Sequence, residues 1–132
     1  MQNSYIKLVE KSKQPTITIE DVENLLTYYN EITEKTGEQL NFPYREFAWP
    51  YDVIKKENEE GKILICTGNQ QKYQMIAIGI EAKNDSRVQI TLNENATEGD
   101  KAKANELAKF LAKKLDAELH LFNGRIMYFH KR

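Results

Sequence analysis

The sequence predicts an α+β protein, in which a mainly antiparallel sheet of about five to six strands is covered by two amphipathic helices in a two-layer sandwich. Two stretches have helical apolar spacing, and each begins with a capping-box pattern. Several short alternating runs are joined by short loops, which favours antiparallel pairing. The length of 132 residues is that of one domain, so we expect residues 1–132 to fold as a single unit.

The first predicted elements are a strand at residues 5–9 and a helix at residues 18–35. The helix opens with Thr18 and Asp21, a capping box with Asp in place of the usual Glu. Gly37 follows it, and glycine at this place commonly ends a helix in the left-handed conformation. One face of the helix is apolar. Its members are Val22, Leu25, Leu26, Tyr29 and Ile32.

A short helix and three strands are predicted in the middle of the chain. Residues 51–60 are expected to be helical because Pro50 stands at the first turn and Gly61 just past the end. Residues 62–67 form an apolar run suited to a buried strand, and residues 73–82 and 87–93 alternate as strands do.

The C-terminal part is predicted as a helix followed by a hairpin. The helix runs from Thr97 to about Leu115, with Asp100 completing a second capping box. In residues 118–130 the dipeptide Asn123-Gly124 separates two alternating runs, which favours a two-residue hairpin turn. That turn pairs Leu121 with Ile126 and Leu119 with Tyr128 on one face, with Phe122 and Phe129 on the other.

Composition excludes several classes of protein. The net charge of −1 and pI near 6.2 argue against a dedicated nucleic-acid binder. No apolar run reaches the ~20 residues of a membrane span. The N-terminus has no secretory signal pattern, and Cys66 is the only cysteine, so no intrachain disulfide forms. We therefore expect a cytoplasmic protein with no membrane partner.

The candidate site is the aromatic segment 42–51, which holds five of the chain's 13 aromatic residues and two of its three prolines. Its rings either cap the end of the sheet as a small core or form a groove or dimer contact. A third interpretation is a small-molecule pocket under the segment, with polar contacts from Tyr44, Arg45 and Glu46 and with Trp49 and Tyr51 as walls. The candidate binding residues within the segment are Phe42, Tyr44, Arg45, Phe47, Trp49 and Tyr51.

Phe110 is a further candidate binding residue, because it lies about 120° from the centre of its helix's apolar stripe. It is either a single exposed apolar residue or a contact with a partner chain or with the aromatic segment. The same helix carries five lysines outside the stripe, which indicates a solvated face or weak nucleic-acid contact, with Phe122 and Phe129 available to stack bases. These lysines are Lys101, Lys103, Lys109, Lys113 and Lys114.

No catalytic or metal constellation is recognisable. Cys66 and His120 both lie on predicted strands and could form a thiolate–imidazole pair if they were neighbours. However, Cys66 stands in an apolar run, where an inert buried thiol is the usual state. One cysteine and two widely separated histidines make no transition-metal site, so we predict no catalytic residue, metal or cofactor.

In three stretches, residues 5–9, 11–15 and 31–40, the sequence resembles a small uncharacterised family of cytoplasmic proteins from Bacillus-type bacteria, a domain of unknown function. The resemblance extends over nearly the whole chain. It implies a single compact α+β domain and supplies no activity, cofactor or site residue.

The sequence therefore favours a non-enzymatic binding domain that takes a protein partner or forms a homodimer. One alternative is a small-ligand-binding protein or minor enzyme with a pocket under residues 42–51. The other is a weak nucleic-acid binder that uses the basic second helix.

Overall fold

The computed structural model describes residues 1–39 and 49–130, without the side chains of residues 33–39. These residues form seven strands and two helices, which confirms the α+β class. In chain order the elements are β1 (Gln2–Lys7), α1 (Ile19–Gln39), β2 (Tyr51–Asn58), β3 (Gly61–Gly68), β4 (Met75–Glu81), β5 (Asn84–Leu92), α2 (Glu98–Leu115), β6 (Glu118–His120) and β7 (Ile126–Tyr128).

All seven strands belong to one antiparallel sheet with the order β2-β3-β4-β5-β1-β6-β7. The first four of these strands form a meander, because each is joined to the next by a short loop. The N-terminal strand β1 completes the middle of the sheet by pairing with β5 on one side and with β6 on the other. The edges are the eight-residue β2 and the three-residue β7.

Both helices pack on the same face of the sheet. Alternate residues of each strand point toward them, such as Leu64 opposite Ile78, and Ile6 opposite Val88. Ala104, Leu107, Ala108, Leu111 and Leu115 of α2 are buried against this layer, as their helical spacing predicts. Within the described chain, neither helix is long and apolar enough to cross a membrane.

Both predicted capping boxes are present. At α1 the Thr18 amide donates to the Asp21 carboxylate and the Asp21 amide donates to the Thr18 hydroxyl, each at 3.1 Å. The Thr97–Asp100 pair does the same at α2. The prediction that Gly37 ends the first helix is wrong, because α1 continues through it to Gln39.

The predicted helix at residues 51–60 is wrong, because this segment is the edge strand β2. Its sequence is rich in Lys and Glu, which favour helices, and shows no apolar alternation. Seven of its eight residues are exposed, so burial imposes no alternation on them. Pairing with β3 from Tyr51 to Asn58 overrides the local preference.

The C-terminal hairpin exists, but the predicted register is wrong by one residue. Leu119 pairs with Met127, and His120 with Ile126. The Leu121 amide donates to the carbonyl of Arg125 at 2.8 Å, so three residues form the loop. Gly124 has φ of 89°, which matches a hairpin loop ending in a residue with positive φ.

Candidate binding surface

The described part of the aromatic segment is a buried cap. Trp49 and Tyr51 are 7 % and 4 % exposed, and their ring centroids lie 4.9 Å apart. The Trp49 ring meets Tyr29 of α1 edge-on at 6.2 Å, and Tyr51 meets Tyr73 edge-on at 5.6 Å. Aromatic pairs in these geometries stabilise beyond their buried area. For these two residues the geometry supports the core interpretation.

Phe110 extends the same aromatic cluster between the helices. Its ring stacks on Tyr28 at 6.2 Å and tilts against Tyr29 at 5.2 Å. The ammonium of Lys114 lies 4.7 Å from the Tyr28 ring centroid, a cation–π geometry. Phe110 is thus off the sheet-facing stripe because it packs against α1.

The structure therefore brings three of the sequence-predicted site residues into one cluster. Trp49, Tyr51 and Phe110 connect through Tyr29, and the cluster joins both helices to the start of β2. The other four candidates lie outside the described residues. These are Phe42, Tyr44, Arg45 and Phe47.

The buried carboxylate of Asp100 lies beside this cluster and connects three parts of the chain. The side chain is fully buried and accepts hydrogen bonds from the Tyr51 hydroxyl and from the backbone amides of Gln74 and Thr97. One carboxylate thereby ties the start of α2 to β2 and to the loop before β4. Burial and the bond to Asp100 raise the pKa of Tyr51 far above its usual value. The arrangement suits a permanent structural contact, since every carboxylate oxygen is satisfied.

Cys66 and His120 are far apart, so they form no catalytic pair. Cys66 lies on β3 and faces the helices, whereas His120 lies on β6 and faces the opposite side. Three strands separate them in the sheet. His120 instead contacts Glu118 at 2.6 Å between Nε2 and Oε1. Burial raises the pKa of the Cys66 thiol to about 12, which makes it a poor nucleophile.

The buried thiol predicts a loss of stability at alkaline pH. The unfolded chain releases the Cys66 proton above its ordinary pKa of about 8.5, whereas the native thiol keeps it until about pH 12. The unfolded state then binds fewer protons, so stability falls as pH rises through this window. Between about pH 8 and about pH 10 this group should remove about 2 kcal/mol from the free energy of unfolding.

Urea titrations of the wild type and of Cys66→Ala at both pH values isolate this contribution. The two proteins differ only at residue 66, so the pH effects of all other groups cancel in the comparison. The wild type should lose about 2 kcal/mol more than the variant over the interval. Equal losses in the two proteins would show that the native thiol ionises normally.

The sheet has a second face, opposite the helices, which we call the open face. No described helix packs on it, since α1 and α2 both lie on the other side. Its apolar part lies on β2, β3 and β4, where one row consists of Ile54, Ile65 and Ala77. Ile54 is 56 % exposed, and Ile63, Ile65 and Ala77 are partly exposed.

A shallow groove of about 310 Å³ runs over the open face from the polar turn between β2 and β3 to the middle of β5. Ile63, Ala77 and Gly79 form its apolar wall, and Gln89 and Thr91 of β5 form its polar wall. Gly79 deepens the groove because it has no side chain. The polar wall is ordered: the Thr91 hydroxyl donates to the Asn3 side-chain oxygen at 2.8 Å, and the Gln89 amide donates to the same oxygen at 3.2 Å.

Charges of both signs border the far half of the open face. The Arg87 guanidinium lies 4.6 Å from the centroid of the Tyr5 ring and pairs with Glu81 at 3.3 Å. Glu118 and His120 lie next to them on β6. Beyond them on β7, Ile126 and Tyr128 are 42 % and 51 % exposed. The open face thus has exposed apolar groups at both ends and balanced charge between.

The sequence reasoning missed this surface. The sequence predicts a buried strand at residues 62–67, but only Leu64 and Cys66 are buried against the helices, while Ile63 and Ile65 face outward. The prediction of two helices in a two-layer sandwich already implies an uncovered face, and the described helices α1 and α2 do lie on one side. The residues that form the other face are known only once the strand order and register are known.

Among the described residues, no group of three or more His, Cys, Asp or Glu side chains is placed to hold a metal ion. Phe122 and Phe129, considered above as base-stacking residues, pack against the core. Three of the five α2 lysines have partners within the chain, namely Glu98, Glu106 and the Tyr28 ring.

These features define a class of α+β proteins in which two helices cover one face of a single sheet. The other face exposes both apolar and charged side chains. The chain belongs to the family described as domain of unknown function (DUF1885), whose model matches residues 2–131. It is also similar to a crystal structure of a protein of unknown function from Bacillus stearothermophilus. That protein is 42 % identical, with 92 % of this chain and 95 % of that chain covered and a TM-score of 0.58. No curated protein matches the chain.

Proposed function

We propose that this chain is a non-enzymatic cytoplasmic domain that binds a protein partner through the open face of its sheet. The observation that carries this proposal is the distribution of exposed apolar side chains. Three of the seven large ones in the described chain lie on the open face, at its two ends, namely Ile54, Ile126 and Tyr128. At the β2 end, Ile54 continues the row of Ile65 and Ala77. A contiguous apolar patch with polar residues around it marks an interaction site.

The chemistry of the open face favours a protein over other partners. Nucleic-acid surfaces need an excess of positive charge, whereas here Arg87 and Lys7 are balanced by Glu81 and Glu118. An apolar strip beside ordered polar groups matches the composition of protein interfaces. The face spans five long strands, about 24 Å across and about 23 Å along, or about 550 Å². The three-residue strands β6 and β7 add about 100 Å². The total of about 650 Å² is below the ~800 Å² per partner of a standard interface and suits a small one.

Site-specific photocrosslinking in the native host tests the proposal. The photoreactive residue p-benzoylphenylalanine replaces Ile65 at the centre of the open face. It also replaces Ile32 in a control, since Ile32 is 39 % exposed on α1. We expect one discrete adduct from position 65 and none of that mass from position 32.

A second variant shows whether the adduct depends on the apolar surface. Adding Ile54→Lys on the neighbouring strand should reduce the yield at position 65 at least about tenfold, because a charge then enters the apolar contact. The proposal is contradicted if position 65 gives no adduct, or if both positions give the same adducts regardless of Ile54.

A further inference from the structure

The edge strand β2 has the pattern of a strand that pairs with a second copy of itself. Eight residues long, it is the longer of the two sheet edges, and Val53 and Ile54 on it are 39 % and 56 % exposed. An edge of this kind offers a row of unpaired backbone groups to another chain. In natural proteins, charged side chains on an edge strand commonly prevent it from pairing with other chains. The positions of the charged residues on β2 therefore determine which strand can pair with it.

The ladder with β3 fixes which backbone groups of β2 point outward. The Asn69 amide donates to the Pro50 carbonyl at 2.9 Å, so these two residues form a hydrogen-bonded pair. Such pairs alternate along an antiparallel ladder. Asp52, Ile54 and Lys56 therefore direct their backbone groups toward β3. The outward-directed residues are Tyr51, Val53, Lys55 and Glu57.

Two copies of β2 can meet only in registers that join outward-directed residues. In one of these registers Ile54 lies opposite Ile54 of the second copy, on the twofold axis. Val53 then exchanges both backbone hydrogen bonds with Lys55 of the other copy. Moving the register one way places Lys55 opposite Lys55, which is a like-charge contact and unfavourable. Moving it the other way places Val53 opposite Val53 and Asp52 opposite Ile54, so Asp52 then has no charged partner across the pair.

The register centred on Ile54 is also complementary in charge. Asp52 and Lys56 lie two residues on either side of Ile54 and on the same face of the strand. Antiparallel pairing about Ile54 places each Asp52 opposite a Lys56, twice per dimer. Within one chain the Asp52 carboxylate accepts a hydrogen bond from the Asn69 side-chain amide at 3.0 Å and pairs with no described cation, so a Lys56 of the second copy would be its charged partner.

We propose that the chain forms a homodimer by antiparallel pairing of β2 about Ile54, which joins the two sheets into one continuous sheet. The twofold axis runs perpendicular to the sheet, so both open faces lie on the same side. The dimer thus presents a binding surface of double width. This inference concerns the edge and holds whether or not the open face binds a partner.

Sedimentation equilibrium of the purified chain and its charge variants tests the dimer. The wild type should show a concentration-dependent dimer mass. Lys56→Glu places like charges at both cross-strand positions and should weaken dimerisation about tenfold or more. The double variant Asp52→Lys with Lys56→Glu restores opposite charges and should recover the dimer.

A backbone variant and a face variant complete the test. Val53→Pro removes an outward-directed amide, leaves the ladder with β3 intact, and should give a monomer. Ile126→Lys alters the open face at the opposite edge of the sheet, far from β2, and should leave the dimer unchanged. A wild type that stays monomeric up to about 1 mM overturns the proposal. So does a dimer that withstands Val53→Pro, or one that Ile126→Lys dissociates while Lys56→Glu does not.

Discussion

Replacing Trp49 by alanine is expected to lower the free energy of unfolding by about 4 kcal/mol. The ring is 7 % exposed and lies between Tyr29 of α1 and Tyr51 of β2, so its removal leaves a cavity where the helix layer meets the sheet. Losses of this size follow the removal of large buried aromatic residues. Urea unfolding followed by far-ultraviolet circular dichroism measures the effect, since Trp49 is the only tryptophan.

Trp49→Phe is the matched control. The Trp49 indole nitrogen is buried and has no hydrogen-bond partner among the described residues. Phenylalanine keeps an aromatic ring in the contacts with Tyr29 and Tyr51, so it should cost less than half as much as alanine. If Trp49→Ala unfolds at the wild-type urea midpoint, Trp49 is not part of the core.

Replacing Asp100 by alanine is expected to lower the free energy of unfolding by about 3 kcal/mol. The change removes one half of the α2 capping box and leaves the buried Tyr51 hydroxyl and the Gln74 amide without their acceptor. Unsatisfied buried donors carry the full cost of their desolvation. Thermal and urea unfolding both report this loss.

Glu98→Ala is a matched control in the same helical turn. The side chain of Glu98 is 93 % exposed, and it forms an ion pair with Lys101 at 3.4 Å. Exposed pairs of this kind contribute little, so its loss should cost less than about 1 kcal/mol. Equal effects of the two substitutions would mean that Asp100 acts only as a first-turn charge.

The sequence predicts the helix layer well because its signals are local. The pairs Thr18–Asp21 and Thr97–Asp100 mark both helix starts, and each forms the expected reciprocal hydrogen bonds. The inward residues of β5 are also recognisable, since Val88, Ile90 and Leu92 alternate with polar neighbours. In these elements the periodicity records burial directly.

The parts that the sequence does not reveal depend on neighbours distant in the chain. The edge strand β2 is held by β3 and exposes Lys55, Lys56 and Glu57 to solvent, so its own residues favour a helix. The hairpin register depends on the backbone conformation of Gly124, and a one-residue change alters every pairing.

For the same reason, the candidate binding surface lies in a different part of the molecule from the segment that the sequence suggests. Aromatic composition drew attention to residues 42–51, but Trp49 and Tyr51 are core residues where the structure describes them. All seven strands contribute to the open face, so no continuous segment of the chain contains it. Local composition therefore identifies a structural cap, whereas the candidate binding surface emerges only from the topology.

Hydroxyl-radical footprinting of the chain, alone and with its crosslink-identified partner, tests the central claim most directly. Tyr5 and Met75 are partly exposed on the open face and have reactive side chains, whereas Trp49 is buried. We predict that Tyr5 and Met75 lose reactivity when the partner binds and that Trp49 is unreactive in both states. The claim is contradicted if Trp49 is reactive in the free chain and becomes protected on binding while Tyr5 and Met75 do not change.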